Sequence, residues 1–541
     1  MKKRTAALLA AVSVLSSSLY SCTLNDLLND NSEVSSEVSS SSESSETDSE
    51  DTPDKYSRVT LDEVKEHISL LEEHSEESGN SKQLEEDIQL LLDDLDSISE
   101  ALSYLTIDFY CDWDNEKLEE AYDSCYEDFY ITAELLTYAF SNAYMVDEYK
   151  PIFEPYVNEE YVEYYTDRSL SIKRLEGYTR VDYELMDESL DEYYDVVNSK
   201  KLSNREKNLK AAEIYIDMLS MYDTETFYDA YNRDFTPEQA ISLSKAVQEA
   251  IIPAGDAIEE AFYDEADSEK IYDDPVVIDD SFDTIREYAS ELSPSIGKYA
   301  DKLCDDKLYA VTEGKGCYDG SFTIDLPKQN SSIIYTYQYD DSYDLLTAVH
   351  EFGHFYASFY DETPTYLQCN NIDIAEVQSQ GMEMIFMRFY DEIYGEQSEA
   401  MKLYKLYDTV GAVISGFLIG EFEYRVLQDI ETITPEEVVE RFDSIMSVCD
   451  YDMELHYISH IFEQPGYYIS YGVSALAALD IWQTSLADEA KALEMYENIA
   501  GIACNSDEYQ FVSALQDAGF ADVLDESYIA SLAEQIQEYA E

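Results

Sequence analysis

The stretch LLTAVHEFGHFYASFY, residues 345–360, places an HExxH sequence inside a run whose apolar residues recur at three- and four-residue intervals. That spacing predicts a helix, and on a helix His350 and His354 share one face, so both imidazoles can bind one metal ion. Glu351, one residue on, can reach a water held by that ion. The competing reading is two surface His on an amphipathic helix. Only six His occur in the 541 residues, which makes their placement informative. A metzincin would continue with Gly and a third His, but Ala357 and Tyr360 stand there instead. A carboxylate from a following helix is the other way to complete the site. The segment DIAEVQSQGMEMIFMRFY, residues 373–390, offers Asp373 as an N-cap and Glu376 in the first turn. Among 118 Asp and Glu, Glu376 is by itself one acid among many. Two His, one Glu and an open position form a catalytic zinc arrangement, whereas structural zinc has four closed ligands.

Working outward, residues 308–340 break the helical pattern. Gly314, Gly316 and Gly320 punctuate LYAVTEG, SFTIDL and SSIIYTYQYD, whose alternation predicts two or three short strands. Elsewhere the periodicity is helical, as in residues 59–74, 83–105 and 208–222. Thr236-Pro237-Glu238 and Thr434-Pro435-Glu436 each spell a helix start with an N-cap, a first-turn Pro and an acid near the positive end. With only 17 Gly and 11 Pro, an all-β architecture with many tight turns is excluded. The expected class is mainly α, with a small β-sheet next to the HExxH helix.

The formal charge of -85 excludes a nucleic-acid partner and disfavours an anionic lipid surface, since both need clustered cations. Hydrophobic residues at 45% still allow large cores. Residues 1–21 read as an export signal, with Lys2, Lys3 and Arg4 before a short apolar stretch. Leu19 to Cys22 resembles a bacterial lipobox, so Cys22 is expected to carry a lipid; the competing reading is a plain secretory signal. Residues 22–56 are rich in Ser and Glu and should form a solvated spacer. The expected location is outside the cytoplasmic membrane, tethered through Cys22. No later stretch is long and apolar enough to span a bilayer. Seven further Cys contain no CxxC pair; Cys111/Cys125 and Cys304/Cys317 are near enough in sequence to be disulfide candidates.

The HEFGH sequence, the Asp344-led approach to it, the Gly-rich segment from Lys315 to Gly320, and Glu376 followed by Ser379 together resemble the thimet oligopeptidase and oligoendopeptidase F group of zinc metallopeptidases. The resemblance runs over about residues 310–480. It raises Glu376 to the expected third ligand and implies one Zn2+ per chain. It further implies a large two-lobed helical zincin with a deep substrate channel, an N-terminal helical lobe over 57–290 and a catalytic lobe over 291–541. The segment from His460 to Tyr471 is similar to that group's C-terminal His and Tyr segment. This implies that Tyr471, then Tyr468, and the His460 imidazole face the scissile bond, with His456 the alternative to His460. Core packing is the competing role for any single Tyr among 49. The implied activity is endoproteolysis of short peptides, with the SSIIYTYQY strand binding substrate by strand addition. The alternative is a lapsed, surface-anchored peptide-binding lipoprotein of the same fold.

Overall fold

A computed structural model describes residues 55–157, 162, 189–222, 224, 227–265, 268–278, 280–449 and 453–541. The export signal, Cys22 and nearly all of the spacer lie outside the described residues. The first unit is helical. Thr60 closes a capping box with Glu63 and starts α1 (Leu61–Glu76). It packs with α2 (Ser81–Cys111) and α3 (Glu116–Tyr144) around Ile68, Leu91, Leu95 and Phe140.

A second, larger core begins with α4 (Asn204–Leu219), α5 (Pro237–Ala246) and α6 (Ile252–Asp264), the last two joined through a π-turn. α7 (Ser281–Leu292) and α8 (Pro294–Asp306) lead into the sheet of β1 (Tyr309–Thr312), β2 (Phe322–Leu326) and β3 (Ser331–Tyr337). There follow α9 (Asp344–Ser358), which carries HExxH, α10 (Ile372–Phe386), α11 (Ser398–Gln428), α12 (Pro435–Met446), α13 (Ile469–Ala487) and α14 (Glu489–Ala500). Both Thr-Pro-Glu starts behave as read: Thr236 and Thr434 each cap a helix in a reciprocal box, with Gln239 and Glu437. The mainly α class with a small sheet beside the HExxH helix is what the structure shows. No helix among the described residues is long and apolar enough to cross a membrane.

α13 is buried over its whole first fourteen residues, which is why its sequence is apolar without a polar face. It meets α11 backbone to backbone, since a Cβ on Gly416 would fall 2.3 Å from the Gly472 nitrogen.

Three expectations need correction. The sheet order is β1-β3-β2, with β1 parallel and β2 antiparallel to β3, so the SSIIYTYQY strand is central. β1 pairs with it over Ile334–Tyr337 and β2 over Ser331–Tyr335, so it offers no full-length edge to an added strand. Asp373 does not cap its helix: Asn371 stands at that position, and the Asp373 carboxylate is taken by buried Arg233, at 2.7 and 3.0 Å. A guanidinium with no accessible surface needs that partner more than the helix end needs a cap. Finally, Cys111/Cys125 and Cys304/Cys317 are not joined. Cys125 lies against the Ile98 carbonyl, about 20 Å up α2 from Cys111, and Cys304 lies against the carbonyl of Phe282.

Candidate metal centre and active site

α9 and α10 cross close together because of Gly353. A Cβ there would sit 2.6 Å from Ser379 Cα and 2.8 Å from the Gln378 carbonyl. This approach brings Glu376 up to the two His. Ligand atoms of His350, His354 and Glu376 all lie within 4.8 Å of one another, and His350 Nε2 is 3.6 Å from Glu376 Oε2. His350 and Glu376 are buried, while His354 is half-buried and lines a cleft with Glu351 and Glu376. The sequence therefore named the residues that converge.

The donor set fits a zinc ion. The buried His350 Nε2 has no hydrogen-bond partner among the described residues, yet its ring is fixed from the other side, where Nδ1 meets Glu383 Oε1 at 2.9 Å. A metal-binding His whose second nitrogen bonds a carboxylate is oriented in this way. Glu383 is in turn held by Lys405 Nζ at 2.5 Å, and Lys405 by Asp408 at 2.9 Å. Glu383 and Lys405 were missed by sequence reasoning. The signal for Glu383 was its place seven residues after Glu376, two turns along the same face.

The electrostatics follow from burial and from this chain of charges. Burial raises the Glu376 carboxyl to about 7 despite the opposing pull of His350. Burial would lower His350, but the Glu383 bond and the surrounding carboxylates carry it to about 9. Burial first, and charged His350 second, hold His354 well below its ordinary value. Burial also penalises ionised Glu383, yet Lys405 and His350 outweigh it and keep that carboxylate low.

Glu351 is fully buried, and its Oε2 accepts from the Thr323 hydroxyl at 2.8 Å, so β2 orients it. Thr323, Ile324 and Asp325 of β2 line the same cleft with Ser99, Ser103 and Phe129 of the first unit, and the Ser103 hydroxyl donates to the Asp325 carbonyl at 2.7 Å. Burial, then Asp361, raises the Asp325 carboxyl to about 7.

His460, Tyr468 and Tyr471 gather in a second cluster. The His460 ring centroid is 6.0 Å from Tyr467, 5.9 Å from Tyr468 and 6.0 Å from Tyr471. Burial lowers His460 below the usual imidazole value. His456 goes elsewhere: its Nδ1 lies 2.6 Å from Asn208 Oδ1 on α4. The two clusters are linked through Arg233, which bonds Asp373, one turn before Glu376, and the Ser470 hydroxyl, next to Tyr471.

No family model matches the sequence, and no curated protein matches it. Solved structures do. A protein described as an oligoendopeptidase F superposes with a TM-score of 0.69 at 16% identity, covering 90% of this chain and 97% of that one. PZ peptidase A with an inhibitor gives 0.68 at 17%, covering 90% and 98%. A Bacillus anthracis (strain Ames) protein described as an oligoendopeptidase F gives 0.64 at 16%, covering 90% and 97%. The chain has the fold of these structures.

Proposed function

We propose that this chain is a zinc-dependent endopeptidase acting on short peptides, of the oligoendopeptidase F type. The observation that carries the reading is the convergence of His350, His354 and Glu376 within 4.8 Å, with Glu351 beside them in one cleft. The shared fold with peptidase structures supports it.

His350, His354 and Glu376 would hold the zinc ion, one per chain. A bound zinc supplies a Lewis acid and lowers the pKa of water towards neutrality. Glu351, held by Thr323, is placed to take a proton and to return it to the leaving amine. Glu383 and Lys405 fix the His350 ring, so the ligand geometry is set before substrate arrives. Since β3 is central, we assign backbone recognition to β2, which lines the cleft. Tyr471, with Tyr468 and His460 as the next candidates, would donate a hydrogen bond to the carbonyl oxygen as charge develops on it. The substrates would be short peptides, as the resemblance implies, and the -85 charge would favour basic or neutral ones. Nucleic acid is not a partner. The protein would act outside the cytoplasmic membrane, associated with it through lipidated Cys22 only.

A peptide-library digest read by mass spectrometry, with and without chelator, tests this reading. Cleavage that chelator abolishes and zinc restores is expected. Peptide retention without products, before and after zinc loading, would favour the lapsed binding lipoprotein.

A further inference from the structure

Where α2 ends, its last turn runs beside the Gly-rich loop between β1 and β2. The Tyr318 N–H donates to the Tyr110 carbonyl at 2.9 Å, and the Trp113 N–H donates to the Gly316 carbonyl at 2.8 Å. The two segments run past each other in opposite directions, and these two bonds hold Cys111, the last residue of α2, close to Cys317. The Cys317 Sγ rests against the Glu313 and Gly314 carbonyls, at 3.7 and 3.8 Å. The junction is held from a third direction. The Tyr335 hydroxyl of β3 lies 3.1 Å from the Tyr110 carbonyl and 2.6 Å from that of Tyr318. Tyr318 also packs on Tyr110 and Trp113, with ring centroids 5.0 and 5.7 Å apart. Gly316, at φ +88°, gives the loop the left-handed turn that delivers Cys317.

Cys111 and Cys317 are free thiols in this structure, and we propose that oxidation joins them in a disulfide that staples the first helical unit to the sheet. Each thiol gives up its proton and one electron as the Sγ–Sγ bond forms. An external disulfide, such as oxidised glutathione, takes up both electrons and both protons and leaves as two thiols. Export, expected from residues 1–21, would supply such an oxidant. Both Cys are half-buried, so the oxidant can reach them during or after folding. Burial, then Asp108, raises the Cys111 thiol to about 11, which makes it a poor leaving group. Because the disulfide closes a loop of roughly 200 residues, it should restrict the unfolded chain strongly. The pairing is independent of any catalytic role.

The test is a non-reducing peptide map of the full chain equilibrated with oxidised glutathione and then alkylated. A peptide linking Cys111 to Cys317 is expected. In thermal melts, Cys111→Ser and Cys317→Ser should each lower the midpoint of the oxidised protein by several degrees, and the difference from wild type should vanish in reductant. Fully alkylated Cys111, or a Cys111–Cys125 link, overturns the pairing. So does a fall in midpoint of the same size with and without reductant, which would make the two thiols packing groups only.

Discussion

Around His350 the described neighbours are chiefly charged and polar groups, whereas around His460 they include three tyrosine rings. The first arrangement has a direction at each bond: Lys405 to Glu383, His350 Nδ1 to Glu383, Thr323 to Glu351. The second consists of Tyr467, Tyr468 and Tyr471 with centroids about 6 Å from the His460 ring. Its anchor lies one layer behind, where buried Glu423 accepts from the Gly466 N–H at 2.9 Å and the Tyr215 hydroxyl at 3.2 Å. Directional bonds fix a proton or a lone pair in space, as the proposed base and metal ligands would need. Ring packing adds a shape around the proposed hydroxyl donor, which would meet charge only as it develops.

Five substitutions probe that contrast, in falling order of effect. Glu351→Gln should retain zinc and lower kcat by about 10³-fold, read by peptide turnover beside metal analysis. Normal turnover would remove the base from the first cluster. Tyr471→Phe should lower kcat by about 10²-fold with little change in KM, and Tyr468→Phe by less. Equal, small effects of both would reduce the second cluster to packing. Glu383→Gln should weaken zinc affinity by roughly 10- to 100-fold in a competition titration, because the His350 ring loses its charged partner.

The last probe concerns the anchor and is a matter of pH. Burial raises the Glu423 carboxyl to about 7, against hydrogen bonds from Gly466 and Tyr215 that lower it. The folded state therefore holds this proton more tightly than the unfolded state, whose value is near 4.5. Its contribution to stability is complete below that lower value and is lost as pH rises through about 7, at most about 3 kcal/mol. Urea unfolding at pH 5 and 8 should show a smaller drop for Glu423→Gln than for wild type.

The same contrast explains what could be read from the sequence. His350, Glu351 and His354 lie within five residues of one helix, so their spacing carried over into geometry directly. Glu376 needed the α9–α10 crossing, and only the resemblance singled it out from the other acids. Asp373 was misread because its partner, Arg233, is distant in sequence, and local capping rules hold no information about it. The centrality of β3 was likewise hidden, since strand order depends on pairings that alternation does not encode. The fold class survived these errors because helical periodicity and scarce Gly and Pro are properties of the whole chain. His456 and His460 share a four-residue spacing but lie in different short helical turns, which sends one to Asn208 and the other to the tyrosines.

Gly353 sets a dimension that no donor atom records. It acts as a caliper between two helix axes, and the gap it sets would be the bite of the proposed ligand cage. A methyl group at that position would need space now held by Ser379 Cα and the Gln378 carbonyl, backbone that cannot swing aside as a flexible side chain would. Wedging α10 away would carry the carboxylate out of coordination range while every ligand remained in the sequence. Such a lesion would pass a motif scan unnoticed and register only as lost metal.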